Sequence, residues 1–139
     1  MDCHKTIIYD KINLGDDIMN CIFCKIINEE ISSYTIYEDE YVKVFLDIYP
    51  DTNGHTLIIP KKHYQDITDI PLDTLKHINQ ITKNIYRILE TKLKFDGLVI
   101  IQNNGSVQEI KHYHLHLKPI YNNQPDLINV KDIYQTLTK

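Results

Sequence analysis

The alternating stretch "HYHLHL" at residues 112–117 constrains the fold of this chain more than any other feature, because its period of two is that of a β-strand. Successive side chains of a strand point to opposite faces of the sheet. The pattern therefore predicts a strand over residues 112–118. Its three histidines share one face, while Tyr113, Leu115 and Leu117 point into a hydrophobic core beneath the longest helix.

The rest of the pattern predicts an α+β domain built on a five-stranded antiparallel sheet. Apolar residues recur at helical spacing from about 72 to 93, so this is the longest element, at about six turns. A short helix with one buried face is predicted in "CIFCKIINEE", and another in the tail segment "DLINVKDIYQTL". The remaining predicted strands are 35–38, 42–46, 55–60 and 97–102, the last of them buried.

Length and composition favour a single cytoplasmic domain. A chain of 139 residues with 42% hydrophobic residues suits one globular core. A net charge of −4 does not fit a general nucleic-acid binder, and no apolar run approaches the ~18 residues of a membrane span. The first residues lack the apolar core of a signal peptide, and three cysteines do not suit a disulfide framework. We expect an N-terminal extension at 1–18 and a compact domain at 19–139.

A row of three imidazoles on one strand has three interpretations. It is a solvated strand face, a metal site formed by two of the three rings, or a catalytic row that faces an anion. His112 and His116 would lie about 13 Å apart along a strand, so the three rings cannot hold one ion together. Imidazole titrates near about pH 6.5. A neutral histidine can therefore attack phosphorus while a charged neighbour stabilises the phosphate or protonates a leaving group.

The chain resembles the histidine triad (HIT) family of nucleotide hydrolases and transferases, in its bacterial-type, zinc-containing branch. The family motif is His-φ-His-φ-His-φ-φ, where φ is apolar, and "HYHLHLK" departs from it only at Lys118. The resemblance covers residues from about 20 to 120. It includes "CIFCKIINEEI", "VFLDIYPDTNGHTLIIPKKH", "IIQNNG" and Gln108. It implies a HIT-like fold and a homodimer whose two sheets run on into each other.

The resemblance implies a covalent mechanism at the middle histidine. In the family this residue, His114 here, attacks the α-phosphorus and forms a nucleotidyl-histidine that water then hydrolyses. Its other ring nitrogen must be held, as a backbone carbonyl would do, to fix the tautomer. His116 and His55 match the histidines on the phosphate side, and Asn103 and Gln108 match polar residues that contact the phosphate. Plain loop capping is the other interpretation of the last two.

The resemblance also implies a nucleoside pocket. Asp47 interrupts the apolar run "VFLDI" and matches the family aspartate that accepts hydrogen bonds from both ribose hydroxyls. The other interpretation is an aspartate that starts the turn after the strand. Five apolar residues match the pocket for the base, although ordinary core packing would also account for each of them. They are Ile22, Phe23, Ile26, Phe45 and Ile48.

Cys21 and Cys24 form a C-x-x-C pair, which is half of a zinc site. Some bacterial relatives complete such a site with the histidine of "IPKKH" and the first triad histidine, which are His63 and His112 here. The resemblance thus implies a structural Zn²⁺ that would orient the segment carrying His114. The alternative is a pair of buried reduced cysteines with His63 at the surface. We expect the remaining histidines, His4 and His77, to face solvent.

The chain departs from the family pattern just before the triad. The loop "NNGSVQ" is about two residues short and lacks a glycine that relatives carry before the glutamine. Glu109 stands where a serine or threonine is frequent, and an ionised carboxylate can only accept hydrogen bonds. It would repel a phosphate unless it pointed away or the leaving group differed. Lys111 could pair with it or hold a polyphosphate.

Three functions remain open at this point. The first is an enzyme that hydrolyses a nucleoside phosphoramidate or a dinucleoside polyphosphate and releases a purine nucleoside monophosphate. The second is a nucleotide sensor or interaction protein that turns over poorly, which the short loop and Glu109 favour. The third is a zinc-stabilised structural module with an idle triad. None of the three involves a nucleic acid polymer or a membrane.

Overall fold

The computed structural model describes residues 20–139. The predicted N-terminal extension at 1–18 and His4 lie outside the described residues. Among the described residues, no helix is both long enough and apolar enough to cross a membrane.

The described chain forms one five-stranded antiparallel sheet and three α-helices, which confirms the predicted α+β fold. The strand order across the sheet is β1-β2-β3-β5-β4, so β1 and β4 are the edges. The strands are β1 (Thr35–Glu38), β2 (Val42–Leu46), β3 (Thr56–Pro60), β4 (Gly97–Ile101) and β5 (Leu115–Ile120). The helices are α1 (Ile22–Ile27), α2 (Leu72–Leu93) and α3 (Val130–Leu137).

Helix α2 covers one face of the sheet and forms the main core. The buried face of this helix presents residues at the predicted helical spacing, and they pack against the alternate residues of the strands. Tyr113, Leu115 and Leu117 are in this core, as the alternation of residues 112–117 predicts. The buried apolar residues of α2 are Ile78, Ile81, Ile85 and Leu89.

Helix α1 covers part of the opposite face. Its apolar side packs against Phe45 of β2 and against Leu57 and Ile59 of β3. Because both faces of these two central strands are covered, every residue of β2 and β3 is buried. This second layer brings the N-terminal "CIFC" segment beside the histidine row.

The predicted strand at 112–118 is wrong at both ends, because β5 spans Leu115–Ile120. His112 and His114 lie in the segment that leads into the strand. The N–H of Tyr113 donates to the carbonyl of Tyr64 in a loop, 2.7 Å away, and so does not join the sheet ladder. Only His116 is a strand residue, paired between β3 and β4.

Two expected environments also differ. The strand predicted as buried at 97–102 is the edge strand β4, where Val99 and Ile100 remain 41% and 51% exposed. His77 does not simply face solvent, because its Nε2 lies 2.7 Å from an Oδ2 atom of Asp39 in the β1–β2 turn. This contact ties helix α2 to the outer hairpin.

Candidate active site

His114 is a buried histidine whose tautomer is set by the backbone. Its Nδ1 lies 2.7 Å from the carbonyl oxygen of His112, which can only accept a hydrogen bond. The ring proton is therefore assigned to Nδ1, and Nε2 keeps the lone pair that makes neutral imidazole nucleophilic. The ring of Phe23 meets the His114 ring edge to face, with centroids 5.1 Å apart, and holds its orientation.

His55 and His116 form a hydrogen-bonded pair next to His114. The backbone N–H of Asp51 donates to Nδ1 of His55 across 3.1 Å, so the ring proton of His55 is on Nε2. That Nε2 lies 2.9 Å from Nδ1 of His116 and donates to it. The ring proton of His116 is consequently on its own Nε2. The pair thus presents one N–H donor, on Nε2 of His116, and its tautomer is fixed through His55 by the backbone N–H of Asp51.

Asp47 follows β2 and is a buried carboxylate beside this pair. Its side chain is 1% exposed, and its Oδ1 accepts from the N–H of Tyr49 at 2.8 Å. Its Oδ2 lies 3.6 Å from Nε2 of His55. A buried carboxylate with hydrogen-bonding and electrostatic neighbours can stay ionised, which suits an acceptor for hydroxyl groups.

A polar cavity of about 360 Å³ opens in front of these histidines. It places His114 and His116 together with both acidic and basic side chains. Glu109 lines the cavity, and the Nζ of Lys118 donates to the carboxylate of Asp51 at its edge, 2.6 Å away. The lining residues are Tyr49, Asp51, His55, Asn103, Val107, Glu109, His114, His116 and Lys118.

Gln108 is not among the residues that line this cavity. Its Nε2 donates to the carbonyl of Gln65, 2.6 Å away, and the residue is 2% exposed. The short loop before it closes as a 3₁₀ turn at Gly105–Val107, and the Nζ of Lys111 donates to the carbonyls of Gly105 and Gln108. The glutamine side chain therefore points inward, whereas Glu109 lines the cavity.

An apolar cleft lies beside Asp47, between α1 and β2. It contains all five apolar residues that the sequence assigns to a base pocket, and the aspartate is part of the same cleft. The cleft is also lined by three residues after α1 that were not predicted from the sequence, Ile31, Ser32 and Ser33. Two consecutive serines in a loop carry no distinctive signal, because serine is common in turns. The five cleft residues that were predicted to form the base pocket are Ile22, Phe23, Ile26, Phe45 and Ile48.

Two cysteines and two histidines from three separate segments converge in a cluster that includes the first histidine of the row. Cys21 caps α1, Cys24 is within it, His63 follows β3, and His112 precedes β5. Their ligand atoms all lie within 4.8 Å of one another. Nδ1 of His112 lies 3.4 Å from Sγ of Cys21 and 3.1 Å from Nδ1 of His63. Nδ1 of His63 lies 3.3 Å from Sγ of Cys24.

These distances are close to those of a tetrahedral zinc site, with the two histidine nitrogens slightly nearer to each other than the ideal. Ligands bound about 2.0–2.3 Å from a tetrahedral ion are separated from one another by about 3.3–3.8 Å. Nε2 of His112 donates to the carbonyl of Pro60 at 2.8 Å, which leaves the Nδ1 lone pair directed at the cluster. A hydrogen bond from the Cys21 thiol lowers the pKa of the Cys24 thiol to about 3, although burial opposes its ionisation. This donor set can therefore supply a thiolate ligand.

Comparison with known proteins identifies the family. The HIT domain model matches residues 28–123. An uncharacterised HIT-like protein of Methanocaldococcus jannaschii is 44% identical over 115 residues, 81% of this chain and 88% of that protein. The adenosine 5′-monophosphoramidase of Saccharomyces cerevisiae is 42% identical over 110 residues, 78% of this chain and 67% of that protein.

Solved structures agree with this assignment. A zinc-bound histidine triad family protein from Mycobacterium smegmatis superposes with a TM-score of 0.79 at 35% identity, covering 86% of this chain and 91% of that one. A histidine triad nucleotide-binding protein from Sulfolobus tokodaii gives 0.76 at 34% identity, covering 85% and 87%. The row of histidines, the cleft beside Asp47 and these matches lead to one conclusion. The chain belongs to the HIT family.

Proposed function

We propose that this protein is a nucleotide hydrolase that cleaves at the α-phosphorus of a nucleoside phosphoramidate or a dinucleoside polyphosphate. One observation carries the proposal. His114, in its nucleophilic tautomer, lines a polar cavity beside the His55–His116 pair, and an apolar cleft with a buried carboxylate adjoins it. A nucleotide has the matching parts, namely an apolar base, a ribose and an anionic phosphate. The related S. cerevisiae protein is an adenosine 5′-monophosphoramidase.

The first half-reaction transfers the nucleotidyl group to His114. With the purine base in the apolar cleft and the ribose hydroxyls at Asp47, Nε2 of His114 attacks the α-phosphorus and a P–N bond forms. The bond from phosphorus to the leaving group breaks, and the departing amine takes the electron pair and one solvent proton. The Nε2–H of His116 donates to a phosphoryl oxygen and offsets the charge there.

The second half-reaction returns the enzyme to its starting state. Water attacks the same phosphorus, the P–N bond to His114 breaks, and the electron pair returns to Nε2. Water loses one proton to solvent, which balances the proton taken up earlier, and the nucleoside monophosphate leaves. Throughout, the carbonyl of His112 holds Nδ1–H, so it stabilises the imidazolium character of the intermediate.

We also propose that Cys21, Cys24, His63 and His112 hold a structural zinc ion. The related M. smegmatis protein has bound zinc, and the donor set here has tetrahedral distances. When bound, the ion would cross-link α1, the segment after β3 and the segment before β5. His112 would link it to catalysis, since the backbone carbonyl of this residue orients His114.

A second candidate, a nucleotide sensor with slow turnover, rests on a specific observation. Gln108 turns away from the cavity, while Glu109 lines it. A carboxylate near the phosphate weakens binding of an anionic transition state. A nucleotide-binding cleft with little hydrolysis would follow, and the related S. tokodaii protein is a histidine triad nucleotide-binding protein. A third candidate is a zinc-stabilised module with an idle triad.

One labelling experiment separates the three candidates. The protein is mixed with an adenosine phosphoramidate carrying radiolabelled α-phosphorus and quenched in base, because phosphorus–imidazole bonds survive base better than acid. Label on the protein that disappears in His114→Ala supports the hydrolase. Tight adenosine monophosphate binding without label or product supports the sensor. The absence of both nucleotide binding and label on the protein supports the structural module. Lys62→Ala, in the loop after β3, serves as the control and should label normally.

A further inference from the structure

The loop between Asp47 and His55 is tied to the C-terminal segment through one buried side chain. Asn53 is 6% exposed. Its Nδ2 donates to the carbonyl of Asp126 across 3.0 Å, and its Oδ1 accepts from the N–H of Ile128 across 2.7 Å. One amide thus binds a backbone acceptor and a backbone donor of the tail, as a neighbouring strand would.

The tail that receives these bonds is itself anchored. The HIT domain match ends at residue 123, so the backbone groups of 126 and 128 lie beyond it. Helix α3 follows at Val130–Leu137 and buries Ile133 and Leu137 against the main core. The backbone of the tail is therefore held in place by α3, and the Asn53 side chain can fix its loop by hydrogen bonding to it.

The same loop sets the tautomers of the histidine pair. It closes where the N–H of Asp47 donates to the carbonyl of His55, and the N–H of His55 donates to the carbonyl of Thr52, at 3.0 and 3.1 Å. Two residues before Asn53, the N–H of Asp51 donates to Nδ1 of His55. That bond places the ring protons on Nε2 of His55 and then of His116.

We propose that Asn53 is a positioning residue that connects the C-terminal segment to the tautomers of His55 and His116. The amide holds the peptide groups of residues 51–53, and through them the N–H that directs the histidine pair. Without it, the Asp51 N–H would no longer be held against Nδ1 of His55, and the proton of that ring would distribute between both nitrogens. His116 would then lose its fixed Nε2–H donor.

The loop has a second support, which makes this role separable from folding. Gly54 has φ +89°, and a Cβ built there would lie 2.4 Å from Cδ1 of Leu93 at the end of α2. Close packing of Gly54 against Leu93 therefore supports the loop without the Asn53 side chain. We expect Asn53→Ala to keep the fold while it releases the Asp51 N–H.

The test compares Asn53→Ala and Asn53→Asp with the exposed control Asn123→Ala. Asn53→Asp keeps the acceptor for Ile128 but loses the donor to Asp126. Long-range proton–nitrogen NMR spectra report the tautomer of each ring, with signals assigned from His55→Gln and His116→Gln. We expect His55 and His116 as Nε2–H forms in the unmodified protein and the control. In Asn53→Ala we expect a mixture, with Asn53→Asp intermediate.

The activity measurements rest on the proposed function, whereas the NMR measurement does not. In Asn53→Ala we expect kcat to fall about tenfold with KM changed less than about twofold, because His116 acts on the transition state. Unchanged tautomers in a folded Asn53→Ala protein would overturn the proposal, whether or not stability falls. If that variant does not fold, Asn53→Asp decides by the same criterion. Absence of any hydrolysis in the unmodified protein would contradict the proposed function only.

Discussion

At the scale of single residues, His112 connects the two halves of the site. Its ring nitrogen Nδ1 faces the cysteines, while its carbonyl oxygen accepts the proton on Nδ1 of His114. His112 therefore links the proposed zinc ligands directly to the proposed nucleophile, His114. A change in the proposed metal cluster should therefore reach the proposed nucleophile through the backbone of His112.

The metal cluster leads to the first prediction. Cys24→Ser replaces a low-pKa thiolate with a hydroxyl, which is a poor zinc ligand. We expect zinc to fall from about one ion per chain to less than about half, measured by elemental analysis of protein purified without added metal. We also expect the free energy of unfolding to fall by about 3 kcal/mol or more. Cys3→Ser is the matched control, and no zinc in the unmodified protein would contradict the site.

Glu109 leads to the second prediction, at the same scale. This carboxylate lines the cavity from which the leaving group would depart in the proposed reaction, so we expect it to repel the extra phosphates of a dinucleoside polyphosphate. At an effective dielectric constant of about 40, one such contact at about 6 Å costs ~1.4 kcal/mol. Glu109→Ser should therefore raise kcat/KM for the polyphosphate roughly tenfold more than for a phosphoramidate of a positively charged amine.

The matched control for that prediction is Glu40→Ser, an exposed acid in the β1–β2 turn. It removes the same charge far from the cavity and should leave the ratio between the two substrates unchanged. An equal effect of both substitutions would mean that overall charge, and not the position of Glu109, decides the preference. No change with Glu109→Ser would show that this carboxylate does not reach the leaving group.

Much of the site was predictable residue by residue, because short motifs carry it. The four predicted metal ligands converge, and the residues predicted to form the base pocket share one cleft with Asp47. The orientation of Gln108 was not predictable, since it depends on a hydrogen bond to Gln65, 43 residues earlier in the chain. Asn53 carried no signal, because its partners lie in a tail whose path the sequence pattern does not specify.

At the scale of elements, the features set by local sequence pattern were predicted, whereas those set by tertiary contacts were not. Helix α2 was predicted at its observed ends, 72 and 93, because helical periodicity is a local property. The start of β5 was not predicted correctly. Before Leu115, the N–H of Tyr113 donates to a loop carbonyl and the ring of His112 donates to the carbonyl of Pro60, so this segment does not join the sheet ladder. The exposure of β4 depends on its place at the sheet edge, which strand propensity alone does not determine.

The contact between α2 and the β1–β2 turn leads to the third prediction. Burial opposes ionisation of Asp39, but hydrogen bonds from Tyr37, His77 and the backbone outweigh it and lower the pKa of this carboxyl to about 2. A lowered pKa in the folded state stabilises the fold above the unfolded pKa of about 4. This contribution is lost as the pH falls from about 4 to 2. Solvent screening limits it to about 1 kcal/mol.

Asp39→Asn removes the ionisable group, so its stability should be less dependent on pH in that window. Urea unfolding at pH 7, 4 and 3 measures the effect. The difference between the unmodified protein and Asp39→Asn should be about 1 kcal/mol at pH 7 and should shrink towards pH 3. Asp73→Asn, at the start of α2, is the control for loss of one negative charge. A difference that stayed constant with pH would show that the Asp39 contact acts through packing alone.

At the scale of the whole molecule, the two edges of the sheet differ. Edge strand β1 contains Glu38 and leads into a charged turn, which discourages pairing with another chain. Edge β4 carries the exposed apolar side chains Val99 and Ile100. Unpaired backbone groups next to apolar side chains are a surface on which a second sheet can continue. The shape of the protein therefore favours association at β4.

We therefore predict a homodimer whose two sheets meet at β4, and this is the fourth prediction. Ile100→Lys places a charge on the 51%-exposed apolar side chain of that edge, so burying it against a second copy would cost several kcal/mol. Light scattering at micromolar concentration should show a dimer for the unmodified protein and a monomer for Ile100→Lys. Leu72→Lys, at an 81%-exposed apolar position on α2, is the control and should remain a dimer. If Leu72→Lys dissociates while Ile100→Lys does not, the interface involves the start of α2 and not the sheet edge, because a lysine disrupts association only where the partner would bury it.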